Sequence, residues 1–198
     1  MSKMAEPKTG AFDYLDFLGE VLISQDQLQA RIAELGQEIS RDYHDKNLLL
    51  ICILRGGVMF LTDLMRQISI PHAIEFMAVS SYGVGERETT GMVRITLDLN
   101  TPIHERDVIL VEDIVDSGRT IASVLDLLSA RKPRSLCVCA LLDKVERREV
   151  QIPVRYVGFT IPNKFVFGYG LDIDDLYRNL PFVGVVDLNK YEALLGKK

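Results

Sequence analysis

The chain has 198 residues, 47% of them hydrophobic and 26% charged, with a formal net charge of −5. That length suits one domain with a substantial core, and the acidic balance excludes a general nucleic-acid binder, which wants a basic surface. No apolar run approaches the ~20 residues of a membrane span, and the opening Met1-Ser-Lys-Met-Ala-Glu-Pro-Lys lacks the apolar core of a signal peptide, so a cytoplasmic protein is expected.

In chain order, Val21-Leu-Ile23 reads as a short strand. Ser24 followed by Gln27 resembles a capping box. Leu28, Ile32, Leu35 and Ile39 recur at helical spacing, which predicts a helix from Gln25 to about Tyr43. Asn47 to Leu54 is a wholly apolar strand of the buried parallel type. Arg55-Gly56-Gly57 ends it, and Val58 to Ile68 reads as a helix. Two glycines at a strand-to-helix turn let backbone amides face an anion, although tight packing explains them as often.

Ala73 to Ser80 is the next strand. Ser81-Tyr82-Gly83-Val-Gly85-Glu-Arg-Glu-Thr-Thr-Gly91 is rich in glycine and charge: an exposed hairpin loop, or a lid that excludes water. Its Gly83-x-Gly85 lacks the third glycine of a dinucleotide fingerprint, and no Walker A loop occurs. Met92 to Leu99 alternates and suits a returning strand, broken by Pro102. Ser135 to Leu142 and Val154 to Ile161 are further strands, and Asp143-Lys144 stands at the end of the first. Arg131-Lys-Pro-Arg134 is a helix end with cations near the negative pole of the dipole. The tail from Pro162 to Asp172, with Asp174, Asp175, Tyr177 and Arg178 beyond, fits no simple period and reads as an irregular cap. Cys52, Cys137 and Cys139 lie in apolar runs and read as reduced packing thiols; a Cys137/Cys139 metal pair lacks further ligands. His44, His72 and His104 are scattered, and none is assigned a catalytic role.

The chain is organised around Val108 to Thr120. An apolar β-branched run leads to Glu112 and Asp113, side by side where the strand is expected to end. Asp116-Ser117-Gly118-Arg119-Thr120 is a polar loop, and Ile121 to Ala130 reads as a helix. A helix start leaves N–H groups without partners, and its dipole favours negative charge. Small and hydroxylated residues let a phosphate approach those groups. The adjacent acids would repel a bare phosphate, so they suit a hard cation or sugar hydroxyls. Strands separated by helices of about ten residues predict a doubly wound α/β fold with a mainly parallel, five-stranded sheet flanked by helices.

Val111-Glu-Asp-Ile-Val-Asp116-Ser-Gly-Arg-Thr120 resembles the signature of type I phosphoribosyltransferases, and the Glu-Asp-Ile-Val-Asp form is most similar to the hypoxanthine-guanine branch. The resemblance runs from about Val21 to Asp187. It implies a core over about 24–160, a hood built from about 1–23 and 161–198, and a flexible lid over about 81–92, with Ser81 and Tyr82 at its start. It implies that residues 116–120 cradle the 5-phosphate of phosphoribosyl pyrophosphate (PRPP), with Glu112 and Asp113 by the ribose hydroxyls and on the metal side. Arg55, Gly56 and Gly57 would face pyrophosphate, after a peptide that is often cis, with Arg178 as an extra cation. Asp172 would be a further carboxylate for Mg²⁺ and lie in the purine site. There Lys144 would meet the 6-oxo group, Phe165 stack on the ring, Ile114 cover its other face and Val166 offer backbone groups. Asp116 would take the proton from N7.

The expected activity is Mg²⁺-dependent purine salvage from PRPP and a 6-oxopurine, hypoxanthine or guanine, with no nucleic-acid or membrane partner and a homodimeric or homotetrameric assembly. The competing expectations are a PRPP-sensing regulator that binds RNA or DNA on the same fold, which the acidic charge opposes, and a transferase for adenine or a pyrimidine.

Overall fold

The computed structural model describes residues 12–81 and 93–196. Its main sheet has the order β4-β3-β2-β5-β6-β7. The strands are β2 (Leu48–Leu54), β3 (Ala73–Ser81), β4 (Val93–Leu97), β5 (Asp107–Val115), β6 (Ser135–Asp143) and β7 (Val154–Thr160). All neighbours pair in parallel except β4, which runs antiparallel to β3. The mainly parallel sheet is thus present, and its five parallel strands carry a sixth at the edge. Three helices flank it: α1 (Gln25–Asp42), α2 (Val58–Gln67) and α3 (Arg119–Ser129).

β2 shows why such a strand has no polar face. Leu48, Leu50 and Cys52 enter one core with α1 and α2, where Leu28, Ile32, Phe60 and Leu64 are buried. Leu49, Ile51 and Ile53 enter another with Ile121, Val124 and Leu128 of α3. Successive side chains alternate in direction, so a strand covered on both sides must be apolar throughout. The capping box is formed: Gln27 N–H donates to Ser24 Oγ at 3.3 Å, and Ser24 N–H donates to Gln27 Oε1 at 2.9 Å.

The acid pair lies differently from the expectation. β5 continues through it to Val115, because Glu112 and Ile114 still pair with Ala140 and Leu142 on β6. Glu112 and Asp113 therefore sit inside the sheet. The loop beyond them is correspondingly short, since Arg119 and Thr120 already belong to α3.

A second, three-stranded sheet of order β1-β9-β8 joins the two ends of the described chain: β1 (Leu18–Ile23), β8 (Val166–Phe167) and β9 (Val183–Val186). Phe17, Phe167, Ile173, Leu180 and Val186 form its core. The rings of Phe167, Tyr177 and Tyr191 stand around Phe17, each with a centroid 5.3 Å away. A last helix, α4 (Leu188–Leu195), closes it, with Asp187 capping Lys190 N–H. Among the described residues no helix is long and apolar enough to cross a membrane.

Strand order places the site. From β2 the chain crosses to β3 on one side; β5 then enters on the other side of β2 and leads on to β6 and β7. The direction of winding reverses between β2 and β5. In open α/β sheets ligands bind beyond the carboxyl ends of the strands at such a point. Here those ends carry Arg55-Gly56-Gly57 and the segment from Glu112 to Thr120.

Candidate active site

α3 opens with its first N–H groups turned toward the switch point. Gly118 caps it at φ +83° and contributes no side-chain cap bond, so apart from Arg119 N–H, which meets Ser117 Oγ, the first donors have no cap and suit an anion. Only glycine fits there. A Cβ would meet Val150 O at 3.0 Å and Arg148 Cδ at 3.1 Å, in a backbone region that L side chains rarely adopt. Ser117 O accepts from both Glu149 N–H and Val150 N–H, at 2.9 and 3.2 Å. The segment after β6 is therefore a brace behind the loop. Ser117 Oγ accepts from Arg119 N–H at 3.4 Å. The Arg119 side chain turns to Glu149, its Nε 2.6 Å from Oε2, so only its backbone faces the cradle.

Asp116 lies at the mouth. Its Oδ2 is 3.4 Å from Lys144 Nζ and its Oδ1 accepts from Arg147 Nε at 2.9 Å. Partial burial pushes its carboxyl up, but the Arg147 hydrogen bond and the Lys144 charge outweigh that and hold it below the usual value. Lys144 is 7% exposed, and its N–H donates to Val115 O at 3.0 Å.

Glu112 and Asp113 are the opposite case. Burial, and then the charge of Asp113, push Glu112 well above the ordinary carboxylate range; its Oε2 is buried with no partner among the described residues. Burial also raises Asp113, to about 6; the backbone hydrogen bond from Ile114 N–H and the charge of Arg178 oppose that, while the charge of Asp172 adds to it. Asp113, Asp172 and Arg178 therefore share one electrostatic environment.

On the β2 side the Leu54–Arg55 peptide is cis. Arg55 Nη2 donates to Asp175 Oδ1 at 2.8 Å. Arg178 Nη2 lies 2.7 Å from Asp172 Oδ1 and 3.3 Å from Asp175 Oδ1, and its Nη1 donates to Gly170 O at 2.7 Å. Gly170 (φ +99°) presses against this turn, since a Cβ on it would stand 2.2 Å from Gly56 O. Phe165 is 49% exposed, whereas Val166 beside it is buried. Ile114 is partly buried against the core.

With this geometry in view, a family model for the phosphoribosyl transferase domain matches residues 24–174. The chain belongs to the phosphoribosyltransferase family. The hypoxanthine phosphoribosyltransferase of Salmonella typhimurium is 49% identical over 171 residues, covering 85% of this chain and 96% of that protein. The hypoxanthine-guanine phosphoribosyltransferase of Mycobacterium avium is 48% identical over 198 residues, covering 97% of each. A crystal structure of a hypoxanthine phosphoribosyltransferase from Staphylococcus aureus matches with a TM-score of 0.87 at 43% identity, over 90% of this chain and 96% of that one.

The candidate site thus draws on the carboxyl ends of β2, β5 and β6 and on the segment around β8. Tyr82 and the rest of the segment expected to form a lid lie outside the described residues, apart from Ser81 at the end of β3. Among the described residues no group of three or more His, Cys, Asp or Glu forms a ready metal cage. Glu112, Asp113 and Asp172, the three acids expected on the metal side, are not gathered into one. That arrangement still fits Mg²⁺, which keeps several waters and binds through one or two carboxylates plus substrate phosphates. Asp113 and Asp172 fit best: the charge of Asp172 raises the cost of charging Asp113, which a cation relieves. The sequence reading assigns no site role to Arg147, Arg148 or Glu149. Only the fold-back onto Ser117 reveals their partners.

Proposed function

We propose that the protein transfers the 5-phosphoribosyl group of PRPP to N9 of hypoxanthine or guanine and releases pyrophosphate. The observation that carries this reading is the pairing, at one mouth, of the glycine-capped amide cradle at the start of α3 with Asp116 and the buried Lys144. A cradle of that kind holds a phosphate. A lysine offers donors only, so it suits a 6-oxo group and opposes the amino group of adenine.

In this reading Ser117 to Thr120 grip the 5-phosphate. Glu112, whose buried site favours its protonated form, and Asp113 hydrogen-bond the ribose hydroxyls. Arg55, Gly56, Gly57 and Arg178 receive pyrophosphate. Phe165 stacks on the purine, Ile114 covers the other face and Val166 presents backbone groups to its edge. As N9 bonds to C1, the bond from C1 to pyrophosphate breaks with its electron pair, and Asp116 takes the proton from N7. Mg²⁺ held by Asp113 and Asp172 would neutralise charge on the leaving pyrophosphate. The free thiols of Cys52, Cys137 and Cys139 are all buried and suit a reducing cytoplasm. We place the active form as a homodimer or homotetramer, which sedimentation would read directly.

The test is pyrophosphate release from PRPP and Mg²⁺ with each of five nucleobases. Release with hypoxanthine or guanine, and not with adenine, cytosine or uracil, is expected. Comparable rates with adenine would overturn the base assignment, and no release with any base would overturn the activity.

A further inference from the structure

Asp116 is gripped by two cations on two different oxygens. Lys144 Nζ lies 3.4 Å from Oδ2, and Arg147 Nε lies 2.9 Å from Oδ1. The reading above assigns the Lys144 ammonium to the purine and gives Arg147 nothing to do. We propose that Arg147 is a positioning residue for proton transfer: it keeps hold of Oδ1 when the purine draws Lys144 away, and so leaves Oδ2 as the free oxygen turned to the base. This deepens the proposed function and rests on its assignment of Asp116 as proton acceptor.

The backbone supports such a role. Arg147 closes a single 3₁₀ turn, Val145–Arg147, with its N–H on Lys144 O at 3.0 Å. That turn is pinned on both sides. Lys144 N–H is bound to Val115 O before it, and Glu149 and Val150 N–H are bound to Ser117 O after it. The next residue, Arg148, anchors the turn through its ion pair with Asp143. The Arg147 Cα is thus fixed relative to the end of β5 that leads into Asp116, although its side chain reaches the carboxylate from the solvent side.

The other charged groups near Asp116 are engaged elsewhere. On the helix side Arg119 pairs with Glu149. On β5 Asp113 turns to Gly56 and Ile114 N–H, and Glu112 is buried. With Lys144 on the purine, Arg147 becomes the cation that fixes the carboxylate's rotation. A carboxylate in an ion pair is also a weaker base than a free one, so the residue that orients Asp116 sets the pH at which it stops accepting protons.

The experiment compares the full chain with Arg147→Gln and Arg147→Lys. In the unliganded protein the carboxyl ¹³C resonance of Asp116, assigned by its loss in Asp116→Asn, should titrate ~0.5–1 pH unit higher in Arg147→Gln than in the parent. In turnover the acid limb of the kcat profile should move up by a similar amount, with kcat near neutral pH falling about 5–20-fold and KM for PRPP changing less than about twofold. Arg147→Lys should restore most of kcat. An unmoved Asp116 titration, or an unmoved acid limb with full activity, overturns the proposal; so does a loss seen only in KM for PRPP, which marks a phosphate contact. The NMR arm needs no turnover, and the base panel on the parent reports separately on the proposed function.

Discussion

Oδ2 of Asp113 occupies the space that any side chain on Gly56 would need: a Cβ there would stand 1.7 Å from it. The β2–α2 turn and the acid on β5 are therefore fitted to each other across the switch point. Gly56→Ala has to displace either a buried carboxylate or the turn that precedes α2. Since misplacement of about 1 Å can cost ~10²-fold, we expect kcat/KM for PRPP to fall by ~10² or more. Steady-state kinetics, with a thermal melt as control for folding, checks this.

The same carboxylate makes stability depend on pH. Asp113 ordinarily titrates at 3.8 and is pushed up to about 6 in the fold by burial. A raised acid keeps its proton in the native state after the unfolded chain has lost it. Stability is then fully present below 3.8 and is lost as pH rises from there toward about 6, with no further loss above. At ~1.4 kcal/mol for each tenfold step, the loss totals about 3 kcal/mol, and the raised Glu112 changes stability in the same direction. Guanidinium unfolding of metal-free protein from about pH 4 to about pH 7 should show this slope, and Asp113→Asn should reduce it, leaving the part due to Glu112. Mg²⁺ with pyrophosphate should recover stability near neutral pH in the parent but not in Asp113→Asn.

How much of this was legible follows from the physics of each segment. β2 and the stretch of β5 from Val108 to Val111 are apolar without interruption because both faces are covered, and such runs are read directly. The end of β5 is not, because Glu112 and Asp113 break the apolar run while the ladder to Ala140 and Leu142 continues. A buried pair of acids resembles a solvated strand end until the neighbouring strand is in place. The tail resists any periodic reading because Tyr169, Asp174, Asp175 and Tyr177 all take positive φ, which neither helix nor strand allows. Phe165, Val166, Asp172 and Arg178 were reached by resemblance rather than pattern. Asp175 meets Arg178 three residues on, but its other partner, Arg55, comes from the β2–α2 turn, and nothing local signals that bridge.

Asp116 and Lys144 separate chemistry from recognition. Asp116→Asn keeps a hydrogen-bonding side chain of the same shape but removes the proton acceptor. Turnover should drop by ~10²–10⁴ with KM little changed; a fall of less than about threefold would retire the role. Lys144→Gln instead offers the base both a donor and an acceptor. Its discrimination between hypoxanthine and adenine should collapse by ~10-fold or more, read as the ratio of kcat/KM for the two bases.

The brace behind the phosphate loop is open to the same kind of dissection. Arg148 and Asp143 form an ion pair whose side chains are 12% and 10% exposed. Arg148 Nε is buried without a partner among the described residues, and its Cδ would lie 3.1 Å from a Cβ on Gly118. Removing one member of a buried pair strands the other and costs ~3–5 kcal/mol, whereas replacing both by apolar residues can be close to neutral. Arg148→Met should therefore destabilise strongly, and Asp143→Leu with Arg148→Met should recover most of the loss in a double-mutant cycle by chemical unfolding. The stem of Arg148 also packs on the loop itself. In the Asp143→Leu background, Arg148→Met keeps that packing and should leave KM for PRPP within about twofold of the parent. Arg148→Ala in the same background removes it and should raise that KM by ~10-fold, because a cradle no longer held in shape binds phosphate less well. Equal KM values for the two double variants would show that the backbone bonds to Ser117 O suffice to hold the loop.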